Sequence, residues 1–257
     1  MQRTILERIA QVVCPDREAL CIEIGPGLGG LTEHLLERCE RLVAVELDPI
    51  LAGSLRARYE LEPRFTLIES DILQADLSGL GPAVICGNIP YYITSPIIEK
   101  ALSLGPNLIR AVFLIQREVA DRLAAQPGSR DYGYLSVCTQ VACRVERLFG
   151  VKPNAFSPPP NVNSAVVRLT PHAEPLAPPA FLKFVSACFQ HKRKTLRNNL
   201  IARYGHAMAD GLPHGQRRAE ELSIEQLLEI YRCLMASVVE GSGMRPEPAP
   251  DDTISET

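Results

Sequence analysis

Five short apolar runs recur through the first 116 residues, and the chain between them has a different rhythm. The runs "ALCIEI" (19–24), "RLVAVEL" (41–47), "FTLIES" (65–70), "AVICGN" (83–88) and "IRAVFLIQ" (109–116) read as strands. Amphipathic helical patterns lie between them at about 29–38, 50–59 and 94–104. Strands separated by helices cannot close as tight hairpins, so each must cross over and lie parallel to its neighbour. The pattern predicts an α/β fold, with a mostly parallel sheet and helices on both faces. Further on, "YLSVCTQVACRVERLFGV" (134–151) and "SAVVRL" (164–169) are apolar and β-branched and read as added strands at one edge.

The Pro-rich stretch "PHAEPLAPPA" (171–180) marks a boundary. Helical patterns resume at about 180–204 and 224–239, and the acidic, Pro- and Gly-rich residues 240–257 read as a disordered tail. With 257 residues, 46% of them apolar, the chain can form one large domain and a small second one, divided here as 1–172 and 173–239. No apolar run reaches the length of a membrane span. The opening "MQRTILERIA" mixes charges into a helical pattern, unlike a signal peptide. The eight Cys include no C-x-x-C pair, so neither a zinc knuckle nor a dithiol motif is present, and buried free thiols in a reducing cytoplasm are expected.

"EIGPGLGG" follows the first strand. Gly25, Gly27 and Gly30 fit G-x-G-x-x-G, while Gly25, Gly27 and Gly29 fit G-x-G-x-G. Either set lets the chain turn sharply and lets a ligand approach the backbone. Glu46 closes the second strand, where a carboxylate can accept from ribose hydroxyls. A strand, a glycine turn, a helix and then an acid is the order of a nucleotide site. Both NAD and S-adenosylmethionine suit it. Asp71, just past the third strand, favours the second, because its carboxylate can accept from an adenine amine. Glu23 offers an acid for the ammonium of the methionine end, or is a strand residue facing water.

"GNIPYYITSP" (87–96) runs directly off the fourth strand. An exocyclic base amine is a poor nucleophile, since its lone pair is delocalised into the ring. An enzyme that methylates it must hold both N–H bonds with acceptors and fix the ring plane. Asn88 and the carbonyl of Ile89 supply two acceptors, Pro90 stiffens the backbone, and Tyr91 offers a face for stacking. Positioning rather than a strong base carries such a reaction. The plainer alternative is a capped turn with Tyr91 in the core.

Together "EIGPGLGGLTEHLL", "AVELDP", "GNIPYYITSPII", "QREVADRL", "GSRDYGYLSV", "FSPPPNVNSAVVRL" and "RKTLRNNL" resemble the KsgA/RsmA family of small-subunit ribosomal RNA adenine dimethyltransferases, from about Ile5 to Val239. The resemblance implies a class I S-adenosylmethionine-dependent methyltransferase fold, Rossmann-like with a seven-stranded sheet, and a small all-helical C-terminal domain that binds RNA. It implies N6,N6-dimethylation of two adjacent adenines in the hairpin near the 3′ end of 16S rRNA, in the small subunit or its precursor. It places Gly25, Gly27, Glu46, Leu47, Asp71 and Ile72 around the cofactor, with Glu23 and Asn88 beside it. Asn88, Ile89, Pro90 and Tyr91 form the target pocket, and Phe156 in "AFSPPP" closes on the other face of the base; a hydrophobic plug is the alternative for that ring. The family commonly begins with a Gly-Gln-x-Phe-Leu segment ahead of the first helix, whereas this chain starts inside that helix. Tyr92 stands where Asn is common, and Asn163 where Asp is common. A cytoplasmic monomer is expected, with neither a metal nor a membrane.

The net charge of −3 looks wrong for an RNA-binding protein, but its distribution matters more than its sum. From Pro175 to Ala209 there is no acid, and Lys192, Arg193, Lys194 and Arg197 fall within six residues of one another. Such a run, read here as part of a basic helix, can neutralise backbone phosphates, although a solvated helix face is the commoner use. A macrolide-resistance type large-subunit rRNA methyltransferase would share the Asn-Ile-Pro-Tyr pocket; "RKTLRNNL" and "RAEELSIEQL" point away from it. A non-catalytic ribosome-assembly factor would keep the fold without needing Asn88 to Tyr91 or Glu46. A dehydrogenase lacks any group for hydride chemistry.

Overall fold

The computed structural model describes residues 1–90 and 93–242, the last six by their backbone alone. The chain forms two compact units that meet in sequence at Pro178 and Pro179. In the first unit, α1 (Arg3–Val13) leads into β1 (Glu18–Ile24), α2 (Gly30–Leu36), β2 (Cys39–Glu46), α3 (Pro49–Arg58), β3 (Phe65–Glu69) and β4 (Ala83–Asn88). There follow α4 (Thr94–Leu102), β5 (Leu108–Gln116), α5 (Arg117–Leu123), α6 (Tyr134–Ala142), β6 (Cys143–Val151) and β7 (Ser164–Pro171).

The strands form one seven-stranded sheet in the order β3-β2-β1-β4-β5-β7-β6. The first five in that order run parallel, and β7 pairs antiparallel with both β5 and β6. Side chains alternate between the two faces of a strand, and the two apolar layers follow that period. Leu20, Ile22, Ile24, Val43, Val45, Ile85 and Phe113 enter one layer with Ile97 and Ile98 of α4 and Leu123 of α5. Cys21, Leu42, Val84, Cys86, Val112 and Leu114 enter the other, beneath Ile9 and Val13 of α1 and Leu31 and Leu35 of α2. Burial on both faces explains why β1, β2, β4 and β5 are nearly continuous apolar runs, whereas β3 at the edge is only partly buried.

The sheet differs from the sequence expectation at one place. Residues 134–142 are helical, and only Cys143–Val151 of that long apolar stretch is a strand. Leu135, Cys138 and Val141 are buried at helical spacing. Ser136 Oγ accepts from Gly133 N–H at 3.1 Å and donates to Arg122 O at 2.6 Å. Gln140 Nε2 donates to the carbonyls of Leu123 and Ala125, both at 2.8 Å. These polar groups cap the end of α5, a task that a strand could not give them.

The first unit extends beyond residue 172, because His172 N–H bonds to Ala142 O and Leu176 N–H to Val141 O. The second unit holds α7 (Pro179–Cys188), α8 (Leu196–Tyr204), α9 (His206–Asp210) and α10 (Ile224–Ser242). Its core joins Phe181 and Phe184 to Tyr231, the first and last in an edge-on contact 5.5 Å between centroids. Ser223 Oγ and the Gln226 side chain exchange hydrogen bonds with each other's backbone N–H, a capping box that starts α10. That helix runs through 240–242, and the rest of the expected tail, 243–257, lies outside the described residues. Among the described residues no helix is long and apolar enough to cross a membrane, and no group of three His, Cys, Asp or Glu could hold a metal ion.

Candidate active site

β1 to β3 fill one half of the sheet and β4 onward the other, so the chain reverses its lateral direction between β1 and β4. In open α/β sheets the crevice outside the carboxyl ends at such a reversal takes ligands. Three glycines shape it here. Gly25, Gly27 and Gly29 have φ of 62°, 60° and 77°, which only glycine adopts freely, whereas Gly30 does not share that region. The working pattern is therefore G-x-G-x-G. Gly87 has a different role: a Cβ there would meet Ile24 O at 2.5 Å, so only glycine lets β4 lie this close to the end of β1.

Glu46 ends β2 and is 7% exposed. Its Oε2 accepts from Gly27 N–H and its Oε1 from Asp48 N–H, both at 3.0 Å. One carboxylate thus clips the glycine loop to the β2–α3 turn. Asp48 Oδ1 in turn caps α3 by accepting from Ile50 and Leu51 N–H, and Pro49 opens the helix; "DP" after a strand is the visible signal for that start.

Gly25, Glu46, Leu47, Asp71, Ile72 and Pro90 line one cleft of about 480 Å3, with Ile24, Val45, Ile93 and Ile97 as further apolar walls and Ser70 and Asp48 at its polar parts. Leu47 is 65% exposed there, a large apolar side chain left open beside a cleft. Asp71 Oδ1 accepts from Leu73 N–H at 2.9 Å, which leaves the second oxygen without a partner among the described residues. Apolar walls with two carboxylates among them match the chemistry of the nucleoside half of S-adenosylmethionine, whose ring is apolar and whose ribose hydroxyls and amine donate hydrogen bonds.

Glu23 is neither on the wall of that cleft nor facing water. It is 2% exposed. It stands on the sheet face beneath α2, where its Oε2 accepts from Thr32 Oγ1 at 2.7 Å. Burial pushes its carboxyl up to about 7, Thr32 opposes the shift, and the charge of Glu46 adds to it.

Asn88 is exposed at the end of β4, and its side chain makes no hydrogen bond among the described residues. Ile89 N–H donates to Leu114 O at 3.0 Å, which carries the β4–β5 ladder one residue past the strand. The Ile89 side chain is buried in the core, so only its backbone is available to a ligand. Pro90 O accepts from Ile93 N–H and from Thr94 Oγ1, which fixes the entry to α4. Tyr91 and Tyr92 lie outside the described residues. Phe156 is half-buried, and its buried part packs against the layer under α1. The turn before it is tied to the chain start, since Gln2 N–H donates to Ala155 O at 2.7 Å.

In the second unit, Lys192, Arg193 and Lys194 sit in a turn between α7 and α8, not on a helix as the sequence pattern implied. The cause is Asn199, 3% exposed, whose Nδ2 donates to Cys188 O and His191 O and whose Oδ1 accepts from His191 N–H. Those three bonds end α7 and fold the chain back before Thr195 caps α8. Arg197, in the first turn of α8, is bound to Asp210 at 2.5 Å, and Lys192 lies 3.8 Å from Glu220. Arg193 and Lys194 are exposed and have no ion-pair partner among the described residues.

The sequence model of the family described as "Ribosomal RNA adenine dimethylase" matches residues 1–236. The "Ribosomal RNA small subunit methyltransferase A" of Acidobacterium capsulatum is 47% identical over 228 residues, which covers 83% of this chain and 80% of that protein. Its namesake in Bordetella pertussis is 39% identical over 244 residues, 93% of this chain and 92% of its own. A dimethyladenosine transferase from Plasmodium falciparum shares the fold, with a TM-score of 0.78 at 23% identity over 93% of this chain and 97% of that one. The 23S rRNA methyltransferase ErmE superposes with a TM-score of 0.69 at 31% identity, over 91% and 98%. The chain thus belongs to the ribosomal RNA adenine dimethylase family, enzymes that methylate adenine in ribosomal RNA with S-adenosylmethionine as the methyl donor.

Proposed function

We propose that the first unit holds donor and target side by side along the carboxyl edge of its sheet, and that the substrate is the pair of adjacent adenines in the hairpin near the 3′ end of 16S rRNA. The observation that carries this reading is the spatial order of side chains on neighbouring strand ends. Asp71 follows β3, Glu46 ends β2, Gly25 follows β1 and Asn88 ends β4. In that order they suit an adenine amine, a ribose, a methionine chain and a reacting nitrogen. S-adenosylmethionine, when bound, supplies an electrophilic methyl group on a sulfonium. Asn88 Oδ1 and the Ile89 carbonyl accept the two N–H bonds of the adenine N6 amine and aim its lone pair at that methyl. The nitrogen gains a methyl group and releases a proton to solvent, so no strong base is required. Leu47 and Ile72 wall the donor's ring, Gly27 holds the loop over it, and Glu23 ties β1 to the first turn of α2, which follows that loop, through Thr32. Pro90 fixes the pocket's backbone; Tyr91, on the sequence alone, and Phe156 are assigned its two rings.

The helical unit is assigned to RNA docking, with Lys192, Arg193, Lys194 and Arg197 on backbone phosphates. The enzyme then acts as a cytoplasmic monomer on the small subunit or its precursor. Asn88→Ala tests the site. One preorganised hydrogen-bonding group of this kind is worth on the order of 100-fold in rate, so methylation of a 16S 3′-hairpin RNA should fall by that much while donor affinity stays within about twofold. A rate within a few-fold of wild type would mean that another group holds the amine.

A further inference from the structure

The same carboxyl edge continues past Asn88 to a second cleft. Gln116 ends β5 and pairs with Ser164, the first residue of β7, and Asn161 to Asn163 lead into that strand. Asn163 O accepts from Arg117 N–H at 3.0 Å, which holds the two segments together. They border a cleft of about 540 Å3, which Asp131 and Pro153 also line.

The charges around it fall into two groups. Asp121 binds Arg117 at 3.5 Å and Arg147 at 2.8 Å, and Glu118 binds Arg122 at 3.2 Å, so those charges are already matched. The side-chain amides of Gln116, Asn161 and Asn163 and the carboxylate of Asp131 make no hydrogen bond or ion pair among the described residues. A phosphate would find one neutralised arginine and be repelled by Asp131. A base edge fits better: an amide can donate and accept at once, and a carboxylate accepts from an exocyclic amine.

Position adds to the chemistry. Asn88 lies opposite Leu114 on the parallel strand, and Gln116 is two residues further on. One strand spacing sideways and two residues along place their Cα atoms about 8 Å apart, comparable with the reach from one nucleotide to the next in an extended strand. We propose that this cleft takes the nucleotide adjacent to the reacting adenine and reads its base, an adenine, through Asp131 and the amides of Gln116, Asn161 and Asn163. The proposal rests on Asn88 marking the target position. It makes the neighbour a determinant of which adenine is methylated, as enzymes that act on extruded bases often use flanking nucleotides.

The test uses the full chain and 16S 3′-hairpin RNAs in which each adenine of the pair is replaced in turn by purine riboside, which lacks only the exocyclic amine. Single-turnover methylation of the remaining adenine is measured. Because the cleft lies on one side of Asn88, wild type should be slowed about 10-fold by one of the two replacements, the loss expected for one hydrogen bond to a charged acceptor. The triple variant D131A/N161A/N163A, whose removed side chains bond to nothing among the described residues, should methylate that RNA and the unmodified one alike, with unchanged donor affinity. A wild type indifferent to both replacements overturns the proposal. So does a triple variant that keeps the preference, or one that loses rate equally on every RNA. Asn88→Ala measured alongside separates the two readings. A rate that survives it sinks the target position, while a lost amine preference in the triple variant still supports the cleft.

Discussion

Glu46→Gln changes one atom in the side chain that ties the glycine loop to the β2–α3 turn. In the native chain Oε1 and Oε2 each accept one backbone N–H at 3.0 Å, from Asp48 and Gly27. Glutamine preserves the shape but turns one acceptor into an NH2 that faces an N–H. One nearly buried donor loses its partner, which costs about 1–3 kcal/mol. In a unit of this size each kcal/mol moves the melting temperature by about 2–4 °C, so melting should fall by roughly 2–12 °C. Donor affinity should fall separately, because a charged acceptor for ribose hydroxyls has been removed. That loss is about 1.5–3 kcal/mol, or roughly 10- to 150-fold in Kd. Glu46→Ala frees both N–H groups and should melt lower still. Scanning calorimetry without ligand reads the first effect, and titration calorimetry with S-adenosylmethionine, below the melting range, reads the second. A variant that melts like wild type refutes the clip. Unchanged affinity removes Glu46 from the donor site, and both results together refute the whole account of this residue.

Two further outcomes follow from charge. The Glu23 carboxyl is held up to about 7 by burial, against an ordinary value of 4.5, so the folded chain keeps a proton there that the unfolded chain releases. Its contribution is therefore intact below about pH 4.5 and is lost as pH rises through 7, a total of about 3 kcal/mol. Glu23→Gln should unfold in urea close to wild type at pH 5 and be more stable by about that amount at pH 8; a difference that does not vary with pH contradicts the buried proton. For RNA docking, R193A/K194A removes two bases that have no ion-pair partner among the described residues. The log–log salt dependence of hairpin binding should become shallower by about 0.7–0.9 for each phosphate no longer neutralised, and an unaltered slope would return the turn to a solvated surface.

Most of the parallel strands were legible because burial on both faces leaves a signal, a continuous apolar run between helical patterns. α6 was not, because "YLSVCTQV" is as β-branched as a strand. What makes it helical is Ser136 and Gln140 reaching α5, an interaction that local propensity cannot foresee. The basic turn was misread for a related reason. Lys192 to Lys194 continue a helical pattern, and the residue that stops the helix is Asn199, further along the chain and buried. The place of Glu46 at a strand end was visible, and it is what motivates the proposed ribose contact. Its work within the fold was hidden, because both of its partners are backbone N–H groups, which carry no sequence signature. Gly87 was hidden likewise, since the need for glycine comes from the Ile24 carbonyl on a neighbouring strand.

Strand order converts positions scattered along the chain into a line. Asp71, Glu46, Gly25, Asn88 and Gln116 occur out of sequence, but the order β3-β2-β1-β4-β5 sets them at successive strand ends. Neighbouring strands are about 4.8 Å apart, so Asp71 and Asn88 stand roughly 14 Å apart across three steps. A reaction that depends on positioning gains from this arrangement, because the register of a sheet buried on both faces cannot slip without exposing its core. The least forgiving point is the β1–β4 step, where donor and target would meet. There a side chain at Gly87 would meet the Ile24 carbonyl and push β4 from the end of β1, which on the proposed reading widens the gap between donor and target. The same argument explains why the Asn88 side chain needs no bond to the other described residues. Its position is set by the β4 ladder and the Ile89 N–H bond to Leu114, which leaves its amide open for the proposed contact with the target amine.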